Sequence, residues 1–181
     1  MTIRFFGKNC ISLYRHYIMS MDLQNLKVAT DSEVSLLKIP NESYNLVLDA
    51  GSTLSKKALR HIINKNQNRT EVFVFLDKGN LIGSLCVMYK NGNDPEYRIR
   101  KIDAYIYGVY VNKEYRGNGY ASVMLKKLGA YLLSRGICKA HLAVSVNNES
   151  GIRAYEKTGF KIVAKKSFFR ILKINIPYHK L

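Results

Sequence analysis

The segment from Tyr105 to Arg135 limits what this chain can become more than any other. It begins with Tyr105-Ile106-Tyr107-Gly108-Val109-Tyr110-Val111, whose aromatic and β-branched residues predict a strand. A glycine turn follows, Arg116-Gly117-Asn118-Gly119-Tyr120-Ala121. Beyond it Tyr120, Val123, Met124, Leu128, Tyr131 and Leu132 recur at the i, i+3, i+4 spacing of one buried helical face. Strand, glycine turn and helix start, in that order, can hold a phosphate. Glycines let backbone N–H groups close on an anion, and the helix dipole adds about half a positive charge there. The segment therefore predicts a phosphorylated ligand at residues 116–121.

The flanking residues place this device in a sheet. Val72–Leu76 and Leu81–Tyr89 read as a hairpin around Asp77-Lys78-Gly79-Asn80, and Asn91-Gly92-Asn93-Asp94-Pro95 turns the chain towards the Tyr105 strand. The third strand of this antiparallel meander is apolar on both sides. Ile102, Ala104 and Ile106 fall on one face and Tyr105, Tyr107, Val109 and Val111 on the other, so the strand should be central. After the helix, Arg135-Gly136 is a stop, and Ala140–Val146 predicts a strand joined by a parallel crossover. Asn148, Glu149, Lys157 and Gly159 supply the cap, charge order and terminal glycine of a short helix. Two strands, about 160–168 and 170–176, close the chain.

Before the meander the signals are weaker. Ile11, Tyr14, Ile18 and Met21 share one helical stripe, which predicts an amphipathic helix over 9–21. Val34–Ile39 and Tyr44–Leu48 are strand candidates on either side of Pro40. Ser52 or Thr53 can cap a helix carrying Leu54, Ala58, Leu59, Ile62 and Ile63. No repeat or linker divides the chain, so residues 1–181 read as a single domain. Its class is α/β (α+β): a mixed, mostly antiparallel twisted sheet flanked by helices.

Composition sets wide limits. The chain is 47% hydrophobic and 11% aromatic, enough for a core and too much for disorder. No run reaches the roughly 18 apolar residues of a membrane span, and the first residues lack leader features, so the expected setting is cytoplasmic. Cys10, Cys86 and Cys138 stand far apart among apolar neighbours and read as reduced, buried thiols. His16, His61 and His179 lack partners at ligand spacing, so no metal site is expected. A count of 29 Lys+Arg against 13 Asp+Glu gives +16, which favours anionic partners. Lys161, Lys165, Lys166, Arg170, Lys173 and Lys180 form the densest group and meet no acid. Nucleic acid is not the expected partner, because no recognition-helix or RNA-binding pattern accompanies the charge.

Two familiar phosphate loops are excluded. There is no Gly-x-x-x-x-Gly-Lys-Ser/Thr, and the turn lacks the third glycine and early βαβ setting of the dinucleotide fingerprint. Two other segments stand together instead. One is Val111-Asn112-Lys113-Glu114-Tyr115-Arg116-Gly117-Asn118-Gly119-Tyr120-Ala121-Ser122; the other runs from Leu142 through Asn148 and Tyr155 to Gly159-Phe160. Together they closely resemble the GNAT superfamily of N-acetyltransferases. Arg116–Ala121 matches that family's Gln/Arg-x-x-Gly-x-Gly/Ala signature for the pyrophosphate of acetyl-coenzyme A, and Asn148…Tyr155…Gly159-Phe160 matches its second hallmark. The resemblance covers about residues 100–163, within a core of about 70–176; residues 1–70 do not carry it.

The resemblance implies roles. The backbone of Arg116, Gly117, Asn118, Gly119, Tyr120 and Ala121 would cradle the pyrophosphate, with Ser122 adding a hydroxyl and the Arg116 side chain left in solvent. In this family the central strand carries a bulge and parts from the next parallel strand, opening a slot for the pantetheine arm. Val109 and Val111 would pair with that arm and Asn148 would anchor it from the far side. Tyr155, two helical turns beyond Asn148, would protonate the departing thiolate. Tyr155 also reads as a core tyrosine, and Asn148 as an N-cap.

The acceptor side is less determined. Tyr105 stands where the family commonly has a glutamate base. Asp103, on the same face, is a candidate base or a solvated strand-end residue; His141 reads as a core histidine. The family's course is direct attack of an amine on acetyl-coenzyme A in a ternary complex, without an acetyl-enzyme. The charge tilts the expected acceptor towards an anionic one such as a nucleotide-linked amino sugar, within the small-molecule amines, amino sugars among them, that the resemblance implies. Protein or peptide N-acetylation and a non-catalytic coenzyme A sensor are the alternatives, and the resemblance admits a homodimer.

Overall fold

The computed structural model describes residues 2–5, 8–26, 33–40, 43, 56–89, 103–171 and 174–178. Among them nine strands and three helices follow one another: β1 (Thr2–Phe5), β2 (Lys8–Asp22), β3 (Ser35–Ile39), α1 (Lys56–Lys65), β4 (Thr70–Asp77), β5 (Asn80–Met88), β6 (Asp103–Val111), α2 (Tyr120–Ser134), β7 (Lys139–Ser145), α3 (Glu149–Thr158), β8 (Lys161–Ile171) and β9 (Ile174–Tyr178). The strands form one sheet in the order β3-β4-β5-β6-β7-β2-β8-β9, with β1 also paired to β2. Only β6–β7 is parallel, across the α2 crossover; the other pairs are antiparallel. The meander and the crossover lie where the sequence places them; of the closing strands, Arg170 and Ile171, expected in the last one, belong to β8, and β9 begins at Ile174. The turn at 91–95, the strand candidate at 44–48 and the caps Ser52 and Thr53 lie outside the described residues.

The helix expected over 9–21 is a strand. β2 lies between β7 and β8, pairing His16 with Ser145 on one side and Lys166 on the other. Tyr17, Met19 and Met21 pack into the main core while Ile18, on the opposite face, is also buried. A strand covered on both faces loses the alternation that would mark it. Of the residues at helical spacing, Ile18 and Met21 are buried on opposite faces of β2 and Tyr14 is exposed, so the stripe does not form one buried side.

The main core lies between one sheet face and α2. Phe73, Phe75, Leu85, Val87, Ala104, Ile106, Leu142 and Val144 meet Met124, Leu125, Leu128 and Leu132 there. On the opposite face Val72, Cys86, Met88, Tyr105 and Tyr107 pack with Ile63 of α1. β6 is therefore covered on both sides, as its sequence predicts. Gly129 lets α2 lie against the turn after β2: a Cβ there would stand 2.5 Å from Leu26 Cδ2. Among the described residues no helix is long and apolar enough to cross a membrane.

Candidate active site

The glycine turn joins β6 to α2. Asn112 ties its start to β5, its N–H donating to Ile82 O at 2.8 Å and Nδ2 to Leu81 O at 2.5 Å. Gly117 and Gly119 have φ of +84° and +78°, where a side chain would strain the backbone, and a Cβ on either would face open space. The helical bonds begin with the Ser122 and Val123 N–H groups, which donate to Gly119 O at 2.9 and 3.3 Å. A helix supplies no acceptor to the N–H groups before these, so the end of α2 suits an anion.

Side chains fasten this turn on both sides. The Tyr120 hydroxyl donates to Asp77 Oδ2 at 2.5 Å, and the Tyr115 ring stands edge-on to Tyr120 at 5.6 Å. The Arg116 side chain was expected in solvent. It is exposed, yet Nε donates to Val111 O at 2.9 Å and the guanidinium lies 5.4 Å from the Tyr110 ring centre.

Beside the turn, two strands part. β6 and β7 pair from Asp103↔Lys139 to Ile106↔Leu142. Beyond that rung β6 stays with β5 as far as Gly83↔Val111, whereas Ala143, Val144 and Ser145 pair with β2. The Asn112–Ile82 bond makes Val111 turn its own N–H and C=O away from β5, towards the opening, by the alternation of an antiparallel ladder. Arg116 already occupies that C=O, which leaves the N–H.

A bulge shapes the same stretch. Tyr107 faces Cys86 and Tyr110 faces Ser84, so β6 carries one residue more than β5, with Gly108 at φ +62°. The extra residue reverses the alternation of side chains. Val109 and Val111 join the main core with Ile106, not the face of Tyr105 and Tyr107 on which strict alternation would put them. Gly83 is required opposite: a Cβ would clash with Tyr110 O and lie 2.9 Å from Met124 Sδ.

Across the opening stands α3. Asn148 caps it, Oδ1 accepting from the Gly151 N–H at 3.0 Å and the Ser150 hydroxyl at 3.2 Å. Its capping role is thus visible. Gly151 has no room for a side chain, since a Cβ would come 2.6 Å from Asn148 Nδ2. Tyr155 packs on the main core, edge-on to Phe160 at 6.1 Å, and burial pushes its phenol up to about 12. Both a core and a chemical role are therefore compatible with its position. Ser122 has a partner on α3. It is buried with its Oγ 3.2 Å from Thr158 Oγ1; the single Thr158 proton goes to Ala154 O at 2.8 Å, so Ser122 donates to Thr158.

Residues 35–160 match the acetyltransferase (GNAT) family model. The chain belongs to the GNAT family. A Bacillus subtilis protein described as an uncharacterized N-acetyltransferase, YycN, is 37% identical over 68 residues, which are 38% of this chain and 42% of that protein. A Drosophila protein of solved structure superposes with a TM-score of 0.64 at 11% identity, covering 92% of this chain and 54% of its own. A fungal glucosamine N-acetyltransferase region within a larger β-N-acetylglucosaminidase gives 0.61 at 18% identity, covering 83% of this chain and 20% of that one. The chain thus spans less than half of the Bacillus relative and about half of the Drosophila protein. The structural likenesses show the GNAT fold.

Within this GNAT fold one group departs from the sequence reading. Asp103 is not solvated at a strand end; it is 2% exposed, with Oδ2 3.3 Å from Nε2 of the buried His141. The sequence named both residues without joining them. Their signal was the parallel register of β6 and β7, legible only once Ile106 and Leu142 are known to pair. Cys86 is buried as expected, which pushes its thiol up to about 12, and Cys138 is half-buried. Among the described residues no group of three His, Cys, Asp or Glu side chains could hold a metal.

Proposed function

We propose that this GNAT protein, acting as a single domain, uses acetyl-coenzyme A to acetylate a primary amine on a small molecule. The observation that carries this reading is the parting of β6 and β7 beyond Ile106↔Leu142, directly beside the glycine turn. The open space at Gly117 and Gly119 and the N–H groups ahead of Ser122 suit the pyrophosphate. The arm enters between the strands, where the Val111 N–H can bond it. Arg116 contributes by holding Val111 O, and Ser122 by securing α2 to α3.

Acetyl-coenzyme A supplies an activated acyl thioester. Tyr155, on α3, gives a proton to the sulfur as charge develops there. A phenol near 12 is a weaker acid than a thiol near about 8.5, so its help is modest. The raised Cys86 thiol is no nucleophile at neutral pH, which favours direct transfer. The net charge of +16 favours an acceptor bearing phosphate, and the fungal relative of the same fold makes amino sugars the first amines to test.

Purified protein with acetyl-coenzyme A and a panel of amino sugars, nucleotide-linked amino sugars, polyamines and peptides tests this by release of free thiol. Release with a sugar amine is the expected result. Release only with peptides would move the acceptor class to protein amines. Thermal stabilisation by acetyl-coenzyme A without release from any amine would identify a sensor, and no stabilisation would overturn the donor site.

A further inference from the structure

The proposed reaction needs a base, and the position at which the family commonly has a glutamate holds Tyr105. Among the buried acids, Glu71 is committed to Arg135, 2.8 Å away, and to Lys38, 2.6 Å away. Asp103 is different: its partner is a histidine, the side chain most often used as a general base. With Asp103 ionised and His141 neutral, the carboxylate can only accept, so Nε2 carries the ring proton and Nδ1 is the basic nitrogen. In that state the pair carries one negative charge. Taking a proton turns it into imidazolium beside carboxylate, net neutral, the arrangement in which buried charges are tolerated.

Its place in the sheet gives this property a use. Tyr105 stands opposite His141, one rung before the last pair, Ile106↔Leu142, so His141 lies just inside the closed end of the opening between β6 and β7, its Nδ1 buried, and Asp103 reaches it from the first rung of the ladder. Asp103 and His141 share the sheet face of Tyr105, Tyr107 and Ala143, whereas Tyr155 packs on the other face with α2 and α3. A base on one face and a proton donor on the other suit an amine that attacks from one side of a thioester while sulfur departs towards the other.

We propose that His141, positioned by Asp103, is the base that takes the acceptor ammonium's proton at the closed end of this opening. This rests on the acetyl-transfer reading above. His141 takes one proton and frees the nitrogen lone pair; the N–C bond forms and the C–S bond breaks. Nitrogen sheds its next proton to water, Tyr155 gives one to the thiolate and regains one from water, and His141 later returns its own to solvent. The charged or titratable groups that the strand pairings put on the same face around His141 are Asp103, Tyr105 and Tyr107 on β6, Cys86 on β5, Lys139 on β7, Asp22 on β2 beyond Ser20, and Lys161 across from Ser20 on β8. His61 and Lys65 of α1 are exposed on that face's helix.

The test compares His141→Gln and Asp103→Asn with the wild-type protein, measuring acetyl-coenzyme A affinity and the pH profile of kcat/KM. Cofactor affinity should stay within about twofold while kcat at pH 7 falls by at least about tenfold. The loss should shrink as pH rises and the amine deprotonates unaided, a pattern that a merely structural role would not produce. Variants that bind the donor normally and keep the wild-type profile would overturn the proposal while leaving the transferase reading intact. Wild-type protein that releases no thiol with any amine would overturn both. If the variants do not fold, nitrogen NMR of wild-type histidines decides: His141 must titrate over the acid limb of the activity profile, and a ring fixed in one protonation state there would exclude it as the base.

Discussion

The Tyr120 hydroxyl donates to Asp77 Oδ2 at 2.5 Å, fastening the β4–β5 turn to the first residue of α2. That hydrogen bond raises the Tyr120 phenol, so the fastening persists through neutral and mildly alkaline pH. It acts on the position of the glycine turn and on nothing that reacts. Tyr120→Phe should therefore weaken acetyl-coenzyme A binding by about threefold with kcat unchanged, as calorimetry and steady-state kinetics will show. Equal losses in binding and kcat would mean that Tyr120 reaches the reacting end.

Gly119 tests the phosphate assignment. Open space surrounds its missing Cβ, so a substitution meets no protein atom, but φ of +78° costs an L-residue about 1–2 kcal/mol. Gly119→Val should fold with a lowered melting temperature and lose stabilisation by acetyl-coenzyme A, since the side chain fills the approach to the backbone N–H groups. Normal stabilisation by the donor would remove this turn from the site.

Tyr155→Phe should lower kcat by about tenfold while donor affinity stays nearly intact. The phenol near 12 keeps its proton below about pH 11. A fall of wild-type activity between pH 8 and 10 therefore belongs to another group, and Tyr155→Phe should retain it. If that limb vanishes in the variant, Tyr155 ionises far lower than its burial implies.

Glu71 concerns stability. Burial would raise its carboxyl, but hydrogen bonds from Lys38, Tyr89 and Arg135 outweigh this and hold it below its ordinary value of 4.5. Because the folded value is depressed, the carboxylate stabilises the fold above pH 4.5 and the benefit is lost as pH falls through the folded value. Arg135 is half-exposed, so Glu71→Gln should cost only about 1–2 kcal/mol at pH 7. Denaturant melts should show the gap between variant and wild type narrowing as pH falls below 4.5; a constant gap would point to packing.

Cys86 should resist thiol reagents in the native state, with its thiol up near 12 and its side chain buried, whereas half-buried Cys138 should react. Mass mapping after brief alkylation distinguishes the two. Rapid modification of Cys86 would show that the α1 side of the sheet opens.

What the sequence determined by itself is what depends on neighbours along the chain. The two positive-φ glycines before α2, the Asn148 cap with Gly151 behind it, and the hairpin around Gly79 are each specified within a few residues. The family signature lies in those same segments. Partners distant in sequence decided the rest. β2 is a strand because β7 and β8 supply its hydrogen bonds and cover both faces, which erases the alternation of period two. Val109 changes face because one extra residue at Gly108 is accommodated against β5. Ser122 turns to Thr158, and Asp103 meets His141, across elements 36 and 38 residues apart along the chain. Local backbone preference fixes a turn or a cap, but a buried polar contact exists only after the sheet has chosen its register.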